Sequence, residues 1–396
     1  VNIGIPKEIA PGENRVAMIP ANVATLTANG HTVVVESGAG DASGYPDQSY
    51  LEAGAQLSSD RDALFANADI VLQVQSFGAN RVNSEADLAR VRPGQLLMGS
   101  MDPLAAPQAA QQVAERGATA VALELVPRIS RAQSMDVLSS MATLAGYKAV
   151  LTAAMASPRI FPMLMTAAGT LQPARVFVMG AGVAGLQACA TAKRLGAVVE
   201  AYDVRPAAQE QIISVGAKPI ELDLDTGSSE GSGGYAKEQG EEFLARQREL
   251  MTAVIAQQDV VITTAAVPGA KSPILVTAEM VKAMKPGSVI VDLAAERGGN
   301  CELTEQGKTV VVHGVTIIGP ENVPATVEYH ASQMYGKNLE NLLNLMINDE
   351  QQLDLNFADE VIAGTVVAHN GEVVHPHMRK LLGLPELAAE PAATAN

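Results

Sequence analysis

Short β-rich runs alternate with Ala- and Leu-rich stretches of helical period along most of the chain. Up to about Leu125 the runs are NIGI, HTVVVE, DIVLQV, QLLMGS and TAVALE, with ANVATLTANG and PLAAPQAAQQVAERG among the segments between them. A cleaner series begins at Ala174 with RVFVMG, VVEAYD, DVVITT, SVIVDLA and VTIIG. Strands joined through helical crossovers pair in parallel, because each crossover returns the chain to the same end of the sheet. The pattern therefore predicts an α/β chain of two Rossmann-like domains with parallel sheets. At 396 residues the chain is also longer than one core usually organises.

The segment between the two series, LVPRISRAQSMDVLSSMATLAGYKAV, starts polar and runs into a long apolar helix predicted to begin near Asp136 or Ser139. After Pro324, the spacing of Met334, Leu339, Leu342, Leu343 and Met346 predicts a further helix. Where a Rossmann unit has a short connection, the Gly/Ser stretch TGSSEGSGGYAKEQGEEF from Thr226 intervenes and reads as a lid or binding loop. The Ala/Pro/Glu tail, residues 381–396, carries few large apolar groups and is expected to be disordered.

Charge and cysteine content narrow the chemistry. A formal net charge of −16 argues against a nucleic-acid partner, which needs clustered Lys and Arg. The two cysteines, Cys189 and Cys301, supply neither a disulfide framework nor zinc spacing, so no metal site is expected and a reducing cytoplasm is the expected location. No signal peptide is read at VNIGIPKEIAPGENR. The most apolar long window, from Met141 to Thr170, is broken by Lys148, Arg159 and two prolines, so a membrane span is not expected.

Gly180, Gly182 and Gly185 stand directly after RVFVM and directly before VAGLQACATAKRLG. In that strand-turn-helix context the first glycine makes the turn, the second admits a pyrophosphate and the third lets helix and strand pack closely. The second domain thus reads as a dinucleotide-binding Rossmann fold, with the diphosphate on the helix N-terminus. Asp203, at the end of the next strand, suits the adenosine ribose hydroxyls and repels a 2′-phosphate, which favours NAD(H). Arg205 is positioned to offset part of that repulsion.

The loop PRISRAQSMD gathers Arg128, Arg131, Gln133, Ser134 and Asp136, with Ser139 following. A plain reading makes Asp136 or Ser134 a helix cap and pairs an arginine with a nearby carboxylate. Alcohol or amine dehydrogenases need a group to take the substrate proton. None of the six histidines lies in a convincing substrate loop, and His375-x-His377 reads as an exposed turn. Direct hydride transfer between two nicotinamides needs no such group, only side chains that orient the rings.

From IGIPKE to about Pro376 the chain resembles the soluble NAD(H)-binding alpha component of proton-translocating NAD(P) transhydrogenase. PRISRAQSMD, GAGVAGLQA with AYDVR, GGYAKE, TTAAVPG and VDLAAERGGNCE carry the likeness. The resemblance implies reversible hydride transfer between NAD(H) on this chain and NADP(H) on a partner beta subunit, coupled by a membrane-spanning subunit to proton translocation. It gives catalytic, ring-orienting roles to Arg128, Gln133 and Asp136, and nicotinamide-side contacts to Arg128, Ile129, Ser130, Arg131, Gln133, Asp136 and Ser139. On the adenosine side it implies Val183, Asp203, Val204 and Arg205; Gly234 and Tyr235 would close over the nucleotide, with Gln247 and Ala266 lining the pocket.

The resemblance further implies a homodimer, and a discontinuous first domain of residues 1–138 plus about 325–380 around a nucleotide domain of residues 139–324. The chain is expected on the inner face of the cell membrane, held there through separate partner subunits. Alanine dehydrogenase is the alternative, sharing the GIPKE opening and an arginine like Arg15. Its catalytic Lys and His align with Gln75 and Ser100 here, which removes the proton-transfer groups. Departures from the transhydrogenase pattern, at Gln73, Ala266-Val267 and PENVPATVEYHASQMYG, touch pocket shape and subunit contact.

Overall fold

The computed structural model describes residues 1–222, 240–267 and 269–387. They divide into two units, one of Val1–Leu138 with the described residues from Glu328 onward, the other Ser139–Val327. Six strands open the first unit: β1 (Asn2–Ile5), β2 (Thr32–Glu36), β3 (Gln56–Ser58), β4 (Ile70–Gln75), β5 (Leu96–Ser100) and β6 (Thr119–Ala122). They pair in parallel in the order β3-β2-β1-β4-β5-β6. The run TAVALE stops pairing at Ala122 and closes in a 3-10 turn, Leu123–Leu125.

The second unit starts within the apolar helix Val137–Ala156 and continues to a small antiparallel hairpin, β7 (Leu164–Thr166) and β8 (Gly169–Leu171). Its main sheet comprises β9 (Arg175–Met179), β10 (Val198–Tyr202), β11 (Lys218–Pro219), β12 (Val260–Thr263), β13 (Val289–Asp292), β14 (Thr309–Val312) and β15 (Val315–Ile318). The order is β11-β10-β9-β12-β13-β15-β14, parallel except for the edge strand β14. Period-two alternation sends Val176, Val178, Val260, Ile262, Val289 and Val291 to one core. Phe177, Met179, Val261 and Ile290 go to another. A sheet covered on both faces explains why these runs are apolar throughout rather than alternating.

Among the described residues, Val137–Ala156 is the one helix long and apolar enough to cross a bilayer by length and composition, and 28% of its most apolar stretch is buried. Ala149, Val150 and Ala153 belong to the core of the second unit, so that face of the helix is occupied by protein. Gly146 lets it approach the Ala184 backbone so closely that a Cβ there would overlap the Ala184 carbonyl oxygen.

The chain returns to the first unit through the helix Glu328–Leu343, which buries Leu339, Leu342 and Leu343 but ends before Met346. Beyond it, β16 (Val366–His369) adds antiparallel to β6, and β17 (Glu372–Val373) pairs antiparallel with β16. These two strands are too short to stand out by period. Residues 381–387 of the expected tail lie within the described structure. Residue 381 ends the helix Pro376–Leu381, and Leu382 and Leu384 pack against the core, because the preceding strand and helix leave apolar surface for them to cover. Residues 388–396 lie outside the described residues. His375 is likewise not in an exposed turn but half-buried at the start of that helix.

In a sheet of this order the chain changes direction between β1 and β4, leaving a crevice at the carboxyl ends of the strands. In the first unit that crevice is filled from inside. The Glu8 carboxylate accepts the Val74 N–H at 2.6 Å and the Gln75 N–H at 3.1 Å, tying the end of β1 to β4. Arg15 donates through Nε and Nη2 to the two carboxylate oxygens of Glu13, each at 2.7 Å. Gln75 Nε2 adds a bond to Glu13 at 2.8 Å.

Although some of Glu8 reaches the surface, its carboxylate is enclosed, and burial pushes it up to about 8, helped by Glu13 and opposed by the two N–H donors and Arg15. From the ordinary range near 4.5 up to about 8 the folded chain therefore holds a proton that the unfolded chain has released. Stability from this group is complete below 4.5 and is lost as the pH rises through about 8. Glu8→Gln is expected to flatten the decline of the thermal midpoint between pH 4.5 and about 8 relative to wild type, measured by differential scanning calorimetry. An unchanged pH dependence would show that Glu8 is ionised in the fold.

Candidate functional site

The second unit presents its glycine turn at the crevice between β9 and β12. Gly180 leaves β9 with φ +99, a left-handed conformation that side chains rarely adopt. Gly182 caps the helix Val183–Arg194 in an extended conformation, and a Cβ on it would meet nothing within 4 Å. At Gly185 a Cβ would overlap the Gly180 carbonyl oxygen. The three glycines thus serve a turn, an open approach and a close packing contact respectively. Free N–H groups and the helix dipole make the helix start, with Val183 partly exposed, favourable for negative charge.

Asp203, following β10, is engaged with the turn itself. Its Oδ2 accepts the Ala181 N–H at 2.7 Å, and Oδ1 accepts the Arg205 N–H at 2.9 Å. Arg205 grips the same carboxylate through Nε and Nη2, both at 2.9 Å, and Nη2 reaches the Ala181 carbonyl at 3.3 Å. Arg205 therefore neutralises Asp203 directly. A ribose hydroxyl arriving there would share a carboxylate that already accepts four donors.

A cavity of about 350 Å³ opens beside this turn, lined by Met179, Gly180, Tyr202, Asp203, Val204, Leu244, Gln247, Arg248, Ala265–Val267 and Ala270–Leu275. It collects Gly180, Asp203, Val204, Gln247 and Ala266 of the residues singled out in the sequence. Gln247 is buried and donates through Nε2 to the Tyr202 hydroxyl at 2.9 Å, while its Oε1 has no hydrogen-bond partner among the described residues. An apolar cavity with a few convergent polar groups at a topological switch point is the expected form of a small-molecule site. Gly234 and Tyr235 lie outside the described residues.

The arginine loop belongs to the first unit, which Ser139 follows as the first residue of the second. Ser130–Met135 forms a 3-10 turn anchored by buried Ala132 and Met135. Asn338 and Asn341 donate to the Ser134 carbonyl at 2.8 and 3.0 Å, pinning the loop to the helix Glu328–Leu343. Arg131 pairs with Asp359 at 2.7 Å, the plain role the sequence suggested for one of the arginines. Arg128, Ser130 and Gln133 are exposed, Ile129 and Asp136 half-buried.

Several cavity residues escaped the sequence reading. Tyr202, Leu244 and Arg248 occupy ordinary strand and helix positions with no motif around them. The segment VDLAAERGGNCE was marked only by resemblance; Asp292 and Asn300 within it are both fully buried, Asp292 accepting the Asn300 N–H and Asn300 binding Ala265 in the cavity wall. Such polar residues stand out only when a fold surrounds them.

The family profiles described as alanine dehydrogenase/PNT match residues 4–145 (N-terminal domain) and 149–376 (C-terminal domain). An NAD(P) transhydrogenase subunit alpha polypeptide of Rhodospirillum rubrum is 48% identical over 378 residues, covering 95% of this chain and 98% of that one. The alanine dehydrogenase of Bacillus subtilis is 30% identical over 398 residues, covering 98% and 97%. The crystal structure of transhydrogenase from Sinorhizobium meliloti superimposes with a TM-score of 0.84 at 47% identity, covering 94% of this chain and all of the other. With both domain profiles matched and the alpha subunits well ahead of the alanine dehydrogenase in identity, this chain belongs to the alanine dehydrogenase/PNT family and to its NAD(P) transhydrogenase alpha-subunit type.

Proposed function

We propose that the chain binds NAD(H) in the cavity of its second unit and exchanges hydride reversibly with NADP(H) on a partner beta subunit, a membrane-spanning subunit coupling the exchange to proton translocation. In this reading it works at the inner face of the cell membrane through those partners. The observation that carries the reading is the glycine turn with its open approach at Gly182, beside a cavity walled by Asp203 and Val204. The relatives' names, NAD(P) transhydrogenase and subunit alpha, support a second nucleotide and further subunits. The Asp203 carboxylate favours NAD(H) by repelling a 2′-phosphate, a repulsion that its pairing with Arg205 reduces.

The first unit offers little for an amino-acid substrate. Gln75 donates to Glu13, and Ser100 bonds to the Tyr335 hydroxyl. Neither can take a proton from an amine at neutral pH. Hydride transfer between nicotinamides needs alignment instead, and Arg128, Gln133 and Asp136 are assigned to it.

The apolar surface of the second unit supports a homodimer. Every residue of β7 and β8 is exposed, with Met165 79% and, at the end of the long helix, Met155 90% exposed. A projecting hairpin of this kind suits pairing with a second copy of the chain.

The central assay mixes the chain with a transhydrogenase NADP(H)-binding component and follows exchange between NADH and an NADP analogue, with L-alanine plus NAD as control. Turnover with alanine alone would overturn the reading. Arg128→Ala and Asp136→Asn should slow exchange by roughly tenfold or more while weakening NADH binding less; full rates in both would reduce the loop to a helix cap. Gly182→Ala should weaken NADH binding with little change in thermal midpoint. Gly185→Ala should lower the midpoint itself, both read by calorimetry with and without NADH. For the dimer, Met165→Asp with Leu171→Asp is expected to give monomers in sedimentation velocity, and a monomeric wild type would refute the pairing.

A further inference from the structure

Asp292 ends β13 inside the second unit with no exposed surface, and five donors converge on its carboxylate. Thr263 Oγ1 and the Ala294 N–H reach Oδ1 at 2.9 and 3.0 Å. The Asn300 N–H, the Cys301 N–H and Thr304 Oγ1 reach Oδ2 at 2.8, 2.9 and 2.7 Å. A buried carboxylate is tolerated only when so surrounded. Here the donors fold the GGNC segment around it and fix the backbone of Asn300.

The Asn300 side chain, also without exposed surface, then reaches the cavity wall. Its Oδ1 accepts the Ala265 N–H at 3.0 Å, and its Nδ2 donates to the Ala265 carbonyl at 2.8 Å and the Pro273 carbonyl at 2.9 Å. The Asn300 main-chain carbonyl accepts the N–H groups of Leu275 and Val276 at 2.8 and 3.0 Å. Ala265 and the stretch Pro273–Leu275, which both line the cavity, are therefore bound to one residue. The amide pairs with Ala265 as a neighbouring strand would, at a point where β12 has ended and no strand is present.

We infer that Asn300, held by Asp292, is the positioning residue of the nucleotide pocket: it sets the wall at Ala265 and Ala266 against the adenosine end of a bound NAD(H), without touching the nicotinamide chemistry. The inference rests on the reading of this cavity as the NAD(H) site. An amide is required because the position needs one acceptor and two donors at once. A carboxylate of the same size keeps the acceptor but sets an oxygen against the Ala265 and Pro273 carbonyls.

Asn300→Asp tests the assignment, with Thr304→Val as the comparison, since that change removes a hydroxyl from Asp292 and leaves the Asn300 amide bonds in place. Asn300→Asp is expected to raise the NADH dissociation constant about tenfold or more, with the exchange rate at saturating NADH within about twofold of wild type. Amide hydrogen exchange at Ala265 should accelerate in this variant without any nucleotide. Thr304→Val should lower the thermal midpoint yet keep NADH affinity within about twofold. A folded Asn300→Asp protein with wild-type affinity would overturn the assignment. So would an equal loss of affinity in Thr304→Val, which would make the effect one of general stability. Failure of the wild-type chain to bind NADH would overturn the pocket reading and this assignment together, and the unmutated protein alone reveals that case.

Discussion

A single methyl group at Gly185 would occupy the space of the Gly180 carbonyl oxygen, and the arrangement of the second unit follows from its absence. The helix Val183–Arg194 can lie directly on the end of β9 only because no Cβ stands between them. That closeness aims the helix start into the crevice where the sheet changes direction. The left-handed Gly180 makes the turn tight enough, and Asp203 holds it from the neighbouring strand through the Ala181 N–H. A side chain at Gly185 would push the helix off β9, whereas one at Gly182 would meet only the open approach.

The two units share the order of their first five strands and use it differently. In the second, β9 runs straight into a glycine turn and a helix, so the crevice stays open beside Met179, Gly180 and Asp203. In the first, β1 continues into Pro6, Lys7 and Glu8, and the first helix begins only at Pro20. The corresponding crevice is occupied by the chain's own charged side chains, with Glu8 on β4 and Arg15 on Glu13. Topology supplies the crevice in both cases; the residues after the first strand decide whether a ligand or the protein fills it.

Hydrogen bonding on the cavity side is economical in residues. Asp292 organises a loop without entering the cavity, and Asn300 carries that order to the wall. Tyr202 and Gln247, both lining the cavity, are joined by one bond, and Gln247 Oε1 is a buried acceptor with no partner among the described residues. The arginine loop depends similarly on residues distant in sequence, Asn338, Asn341 and Asp359.

Features that depend on neighbours along the chain were legible in the sequence. Strand runs such as RVFVM and SVIVD, the helix after Gly182 and the two parallel sheets follow from local periodicity, and the glycine spacing follows from turn geometry. The antiparallel strands β14, β16 and β17 were not visible, because short strands are stabilised by their partners rather than by their own pattern. Packing of Leu382 and Leu384 was hidden for the same reason. Asp203 and Arg205 were legible as residues, but their mutual pairing depends on how the chain turns after β10. The sequence by itself determined the fold class, the family and the glycine turn, all encoded in contiguous residues. Only the tertiary structure decided what Asp203, Asp292 and Asn300 bind, since a buried polar group is satisfied by whichever donors and acceptors folding brings within about 3 Å.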